Sequence, residues 1–292
     1  MKQIYILFTF IAFALSLASC SNTPDDIIDL QVQKVAIDDS TSVAYRTYGS
    51  GRRAIVFVHG FGCDMNSWEA QFDILKEDKS HILVFIDLPG YGISDKPHID
   101  YTLSFFAKAV ESVIDDTHVQ NPLLVGHSLG TAVCRQVCFE QQDRIGGLCD
   151  IDGVYCFYDN ATPEYIEAID AFSKSFDGDS CREVITGFVY SLAGPDTPQE
   201  ITEYALSVMP QIPEYVASST MRNLVNKKWW NGSIINVPTV VICTKNSGLE
   251  ADNKEKMEML YSNLDYTELS TCGHFIMLEL PEIVSNKLNQ IR

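Results

Sequence analysis

The chain has 292 residues, 46% of them hydrophobic, which suits one large domain with an ample core. Acidic residues outnumber basic ones 39 to 21, for a formal net charge of −18. A surface of that sign repels phosphate backbones and excludes nucleic acid as a partner; its ordinary role is solubility.

At the N-terminus, Lys2 precedes an almost unbroken apolar run from Ile4 to Leu17. The run is short for a membrane span and reads as a signal peptide over residues 1–19. Leu17-Ala18-Ser19-Cys20 resembles the bacterial lipobox. That resemblance implies lipidation of Cys20 and a protein exported and anchored at a bacterial membrane, on its periplasmic face or the cell surface. The alternative is an ordinary secretory peptide with an incidental cysteine. Residues 20–30 then read as a short tether. Stable anchoring takes more than one acyl chain, which bacterial lipoproteins carry.

Beyond the tether, strand-like and helix-like segments alternate. Val43–Tyr48 reads as a strand, and Ala54–Val58 as a buried strand ending at His59-Gly60. Ser67–Lys76 has helical character. Ile82–Ile86 is a strand running into Asp87-Leu88-Pro89-Gly90, and Leu103–Val113 a helix. Leu123–Val125 is a short apolar strand, and Thr131–Gln141 carries apolar residues at helical spacing. Leu148–Ile151, Val240–Thr244 and Tyr266–Leu269 read as further strands, and Pro281–Ile291 as a closing helix. The alternation predicts an α/β fold, a mostly parallel sheet with helices on both faces. Ligands of such sheets bind at the carboxyl ends of strands, where His59, Asp87, Ser128 and Asp152 fall. Between Tyr155 and Trp230 the alternation gives way to amphipathic helix broken by prolines and glycines. This predicts a helical cap over 155–230 inserted into a core of 31–154 and 231–292, with a plain helical connection as the alternative.

Gly126-His127-Ser128-Leu129-Gly130 lies between the fourth of these strands and its helix. It matches the G-x-S-x-G elbow, in which a serine sits on a strained strand-to-helix turn that leaves no room for β-carbons on the flanking glycines. A serine hydroxyl needs a base. His274, in Cys272-Gly273-His274-Phe275 just past the last strand, is the candidate. His59 and His127 adjoin motif residues and support loop structure or line the pocket; His81, His98 and His118 read as surface histidines. Backbone amides of Leu129 and of Phe61, in His59-Gly60-Phe61-Gly62, are the candidate oxyanion donors. Eight cysteines besides Cys20 form no C-x-x-C pair, which leaves a zinc or redox site without support; most read as small buried hydrophobes.

The chain resembles the α/β-hydrolase family. The resemblance rests on His59-Gly60-Phe61-Gly62 with Trp68, Asp87-Leu88-Pro89-Gly90-Tyr91-Gly92-Ile93-Ser94, the elbow, and Gly273-His274-Phe275 before Glu279 and Pro281-Glu282, in family order. It implies a serine hydrolase with Ser128 as nucleophile, His274 as base, a cap that shapes the pocket, a small acyl substrate, and no metal or organic cofactor. One departure concerns the carboxylate behind the histidine. Family members usually carry an aspartate shortly after the strand matching Val240–Thr244, but here the loop reads Lys245-Asn246-Ser247-Gly248-Leu249-Glu250. Asp152, at the preceding strand end, is favoured because a strand end holds a carboxylate rigidly. Glu250 or Asp252 reaching back is the alternative, and a weakened enzyme without a third member is another. Esterase chemistry is the leading expectation. A carbon–carbon bond hydrolase or perhydrolase with the same triad, or a non-catalytic ligand-binding surface lipoprotein, remains open.

Overall fold

The computed structural model describes residues 24–158, 161–230, 234–246 and 253–291. In chain order the elements are β1 (Val32–Ala36), β2 (Ser42–Gly49), β3 (Arg53–Val58), α1 (Glu69–Leu75), β4 (His81–Asp87), α2 (Leu103–Thr117), β5 (Leu123–His127), α3 (Leu129–Gln141) and β6 (Gly147–Ile151). Four helices follow, α4 (Pro163–Lys174), α5 (Cys181–Leu192), α6 (Gln199–Val208) and α7 (Glu214–Leu224). Then come β7 (Thr239–Thr244), α8 (Asn253–Leu260), β8 (Leu264–Leu269), α9 (Ile276–Glu279) and α10 (Pro281–Gln290).

One eight-stranded sheet runs in the order β1-β2-β4-β3-β5-β6-β7-β8. From β4 to β8 all pairings are parallel, while β1–β2 and β2–β4 are antiparallel. The central strands explain themselves. Every residue of β5, β6 and β7 is buried, as expected of short apolar runs covered by helices on both faces. The edge strand β1 alternates exposed and half-buried positions in Val-Gln-Lys-Val-Ala. Its weak apolar signal hides it in the sequence, and Lys34 blunts the free edge. Helix α2 starts at Thr102, whose hydroxyl accepts a hydrogen bond from Phe105 N at 3.1 Å, and buries Leu103, Phe106, Val110, Val113 and Ile114.

Two sequence expectations require correction. The segment expected to be a tether is docked from residue 27 onward. Ile27 is fully buried, its N–H donates to the Glu69 carboxylate at 3.0 Å, and the buried Arg46 guanidinium donates to the carbonyls of Ile27, Ile28 and Leu30. Two apolar side chains, Ile27 and Leu30, thus gain a place in the core. His81 is buried rather than superficial: it opens β4, and its ring lies 3.4 Å from the Asp78 carboxylate. His98 and His118 are exposed, as expected. Cys63, Cys134, Cys138, Cys149, Cys156, Cys181, Cys243 and Cys272 are all free and buried. No helix among the described residues is long and apolar enough to cross a membrane.

Helices α4–α7 lie between β6 and β7 and reach the sheet's carboxyl edge at several points. Tyr91 Oη donates to Thr220 Oγ1 at 3.0 Å, and Tyr101 N–H donates to Ser219 Oγ at 2.8 Å, which fixes α7. The carbonyl of Leu192, at the end of α5, accepts from His274 N–H at 2.9 Å. Trp229 and Trp230 pack against the core, and Trp230 and Tyr155 both lie over the buried Arg135 guanidinium.

Candidate active site

β5 ends and α3 begins at Ser128, whose backbone has φ 53° and ψ −117°. A conformation of this kind costs on the order of 1–3 kcal/mol and persists only where its surroundings enforce it. Here Ser128 N–H donates to Ile151 O at 3.1 Å, and Ser128 O accepts from Thr131 N–H at 3.0 Å and Thr131 Oγ1 at 2.7 Å. Sterics close the argument. A Cβ on Gly130 would lie 2.1 Å from Val58 O, and one on Gly126 would lie 2.6 Å from the carbonyl carbon of Gly130. The helix can begin directly against the neighbouring strand only because both positions lack side chains. Ser128 is almost fully enclosed, at 7% exposure.

Asp152 follows β6 and is fully buried, with φ 42°. Its N–H donates to Ile242 O at 2.7 Å, so β7 holds its backbone. Each carboxylate oxygen has one partner. Oδ1 accepts from Thr244 N–H at 2.9 Å, and Oδ2 lies 2.5 Å from His274 Nδ1. With a carboxylate on Nδ1, the neutral His274 ring keeps its proton there and leaves Nε2 bare.

His274 is buried against His127, the residue before Ser128, with ring centroids 4.6 Å apart. His127 Nε2 lies 3.0 Å from His274 O. Burial, aided by the adjacent His274, pushes the His127 pKa well below its ordinary value. The ring is therefore neutral near pH 7 and donates Nε2–H to that carbonyl. His127 thus braces the His274 loop, the supporting role expected of it.

On the other side of Ser128, a Cβ on Gly60 would come within 3.1 Å of Ser128 Cβ, which puts the Gly60-Phe61 backbone beside the serine. Leu129 is the first residue of α3, so its N–H belongs to the set that a helix leaves without an internal acceptor. The Phe61 ring is buried against Tyr91, Phe176 and Phe188, beneath the inserted helices. His59 accepts from Leu88 N–H at Nε2, 3.0 Å, and its Nδ1 faces Gly60 O at 2.8 Å. That histidine couples two loops, and burial lowers its pKa.

The structure sets Asp152 on His274, the His274 ring against His127, and the Gly60-Phe61 backbone and Leu129 beside Ser128. Glu250, Asp252 and Cys20 lie outside the described residues. Sequence reasoning missed Thr244 and Asn246. Thr244 Oγ1 donates to Cys272 O at 2.7 Å while its N–H holds Asp152; Asn246 Nδ2 donates to Cys272 O at 2.8 Å and to Ser270 O at 3.2 Å. Their signal was a pair of hydrogen-bond donors at and just past a strand end, where the loop aspartate was sought. Asn246 points amide hydrogens at two carbonyls, a task an aspartate cannot perform.

The model of a family described as "Alpha/beta hydrolase family" matches residues 55–286, most of the chain. The chain belongs to the alpha/beta hydrolase family. Among curated relatives, the dihydrolipoyllysine-residue acetyltransferase component of the acetoin cleaving system of Cupriavidus necator is 33% identical over 107 residues, 37% of this chain and 28% of that protein. The match thus spans little more than a quarter of that relative's length. The strigolactone esterase RMS3 of Pisum sativum is 22% identical over 267 residues, 83% of this chain and 94% of its own. Among solved structures, the esterase EaEST from Exiguobacterium antarcticum superposes with a TM-score of 0.77 at 18% identity, over 89% of this chain and 98% of that one. At that identity the likeness speaks for the fold alone.

Proposed function

We propose that this hydrolase cleaves an ester or related acyl bond through an acyl-enzyme. Ser128 attacks the carbonyl carbon, and its proton passes to Nε2 of His274. Asp152 keeps the imidazole in the tautomer that accepts that proton and stabilises the imidazolium that results. The amides of Phe61 and Leu129 stabilise the oxyanion. Collapse expels the alcohol, which takes the proton from His274. Water, deprotonated by the same ring, then releases the acid and regenerates Ser128. The observation that carries this reading is the buried 2.5 Å contact between Asp152 Oδ2 and His274 Nδ1, set beside a serine held at positive φ. Covalent labelling of the full-length protein by a fluorophosphonate, abolished in Ser128→Ala, tests it. No labelling under conditions that label a known esterase would sink it.

The apolar Ile4–Leu17 run and the lipobox-like Leu17-Ala18-Ser19-Cys20 support a matching proposal about place: export, lipidation of Cys20, and retention at a membrane surface. Incorporation of labelled palmitate that is lost in Cys20→Ala is the expected result, and unlabelled wild-type protein refutes it.

A further inference from the structure

The turn that carries His274 is held from the inserted helices as well as from the sheet. Gly273 N–H donates to both oxygens of Glu279, at 3.0 and 2.9 Å. Glu279 Oε2 also accepts from Thr197 Oγ1 at 2.8 Å, and Thr197 Oγ1 accepts from Gly194 N–H at 2.8 Å. The next amide along, His274 N–H, donates to Leu192 O at 2.9 Å. Two consecutive amides beside the imidazole are thus anchored, one through a carboxylate and one directly, to the 192–197 connection between α5 and α6. The approach is close: a Cβ on Gly273 would lie 2.4 Å from Gly194 N and 2.5 Å from Thr197 Oγ1. From the opposite side, Thr244 and Asn246 hold the carbonyl of Cys272. The loop is slung between β7 and the inserted helices, and the carboxylate of Glu279 is the joint that ties it to the helices.

We propose that Glu279, together with Thr197, is a positioning residue that locks the inserted helices to the Gly273-His274 turn, so that the seating of those helices sets the aim of the imidazole. The proposal rests on His274 being the base of the proposed reaction. Glu279 does not touch the reacting atoms. It acts by satisfying an amide next to the base with a charged acceptor, a stronger tie than a neutral one. Small misplacement of a base costs rate out of proportion to the displacement.

The test compares wild type with Glu279→Gln, Thr197→Val and Thr197→Ser. Turnover of an aryl ester is normalised to the sites titrated by a fluorophosphonate, across a pH profile. Amide hydrogen exchange is followed in the 190–200 and 270–280 segments. We expect Glu279→Gln to lower kcat per titrated site by roughly tenfold to a hundredfold. KM should stay within about twofold, because uniform binding is untouched. The pH profile of turnover per titrated site should move, and both segments should lose protection together. Thr197→Val should fall between, and Thr197→Ser should restore wild-type behaviour. A purely structural role predicts fewer titratable sites with unchanged turnover per site and an unchanged pH profile; that result overturns the proposal. Loss of protection in 270–280 with 190–200 unaffected also overturns it. If fluorophosphonate fails to label the wild type, the hydrolase reading falls, and the paired exchange response by itself decides the lock.

Discussion

Asp87 and Asp152 are the same residue type at the carboxyl ends of two strands of one sheet, and both are buried. Their surroundings divide their work. Asp87 gives Oδ1 to Met65 N–H at 2.7 Å and Oδ2 to Ile93 N–H at 2.8 Å, so its carboxylate is consumed by backbone. Its own carbonyl accepts from Ser94 Oγ, which in turn accepts from Ala44 N–H; the Asp-Leu-Pro-Gly-Tyr-Gly-Ile-Ser stretch is therefore a knot of loop hydrogen bonds. Burial raises the pKa of Asp87. Asp152 spends only one oxygen on backbone and turns the other toward a titratable ring. A carboxylate whose two oxygens are both taken by amides can organise a loop. One that faces an imidazole can answer to a change of charge.

Substitution can break or sharpen this contrast. The largest effect is expected at Asp152→Asn, which leaves the size and the Thr244 contact in place but removes the charge and permits the wrong histidine tautomer. Esterase kcat should fall by about 10³–10⁴-fold with folding retained, as read by steady-state kinetics and circular dichroism. If activity stays near wild type while Glu250→Gln abolishes it, the acid lies in the loop and the contrast fails. Asp87→Asn should do the reverse. One of its two amide donors would face an NH₂ group, costing roughly 1.5–3 kcal/mol in urea unfolding. Turnover per titrated site should change little.

The smallest effect concerns pH. His59 and His127 are buried with pKa values held below the ordinary histidine value. Above the unfolded pKa of about 6.5 both states carry neutral rings, and the contribution to stability is fully present. As pH falls, the unfolded chain takes up protons that the native state refuses, so stability is lost. The slope is about 1.4 kcal/mol per pH unit for each histidine fully affected. Asp87 and Asp150, the latter pushed by burial up to about 6, oppose this trend because the native state binds their protons more readily. The informative quantity is therefore the difference between wild type and His127→Gln, whose amide can still donate to His274 O. The variant should lose less stability between pH 7 and pH 5, and parallel urea-midpoint profiles would refute the assignment.

Much of this was legible in the sequence because period and punctuation carried it. The strands from β2 to β8 lie within two residues of their expected limits at every end, since apolar runs bounded by glycine, proline and asparagine leave little choice. β1 escaped because an edge strand needs few apolar residues. The docking of Ile27 escaped because it depends on Arg46, whose guanidinium gathers three carbonyls from a segment with no periodicity. The elbow and His274 were readable from local pattern. The bonds from Thr244, Asn246 and Glu279 to the 270–274 loop were not. Those from Thr244 and Asn246 join residues 24 to 28 positions apart, brought together only by strand order, while Glu279 reaches Gly273 six residues back across a turn that no periodicity signals.

The eight buried thiols have a further consequence. Burial raises the pKa of every one of them, so in the native state these eight offer almost no thiolate to an electrophile or a disulfide. The native fold therefore serves as its own protecting group, and modification has to wait for the chain to open. Cysteines on α3, β6, α5 and β7 sample different depths of the molecule, so their order of alkylation by a slow reagent would give a clock for the sequence in which its parts come apart.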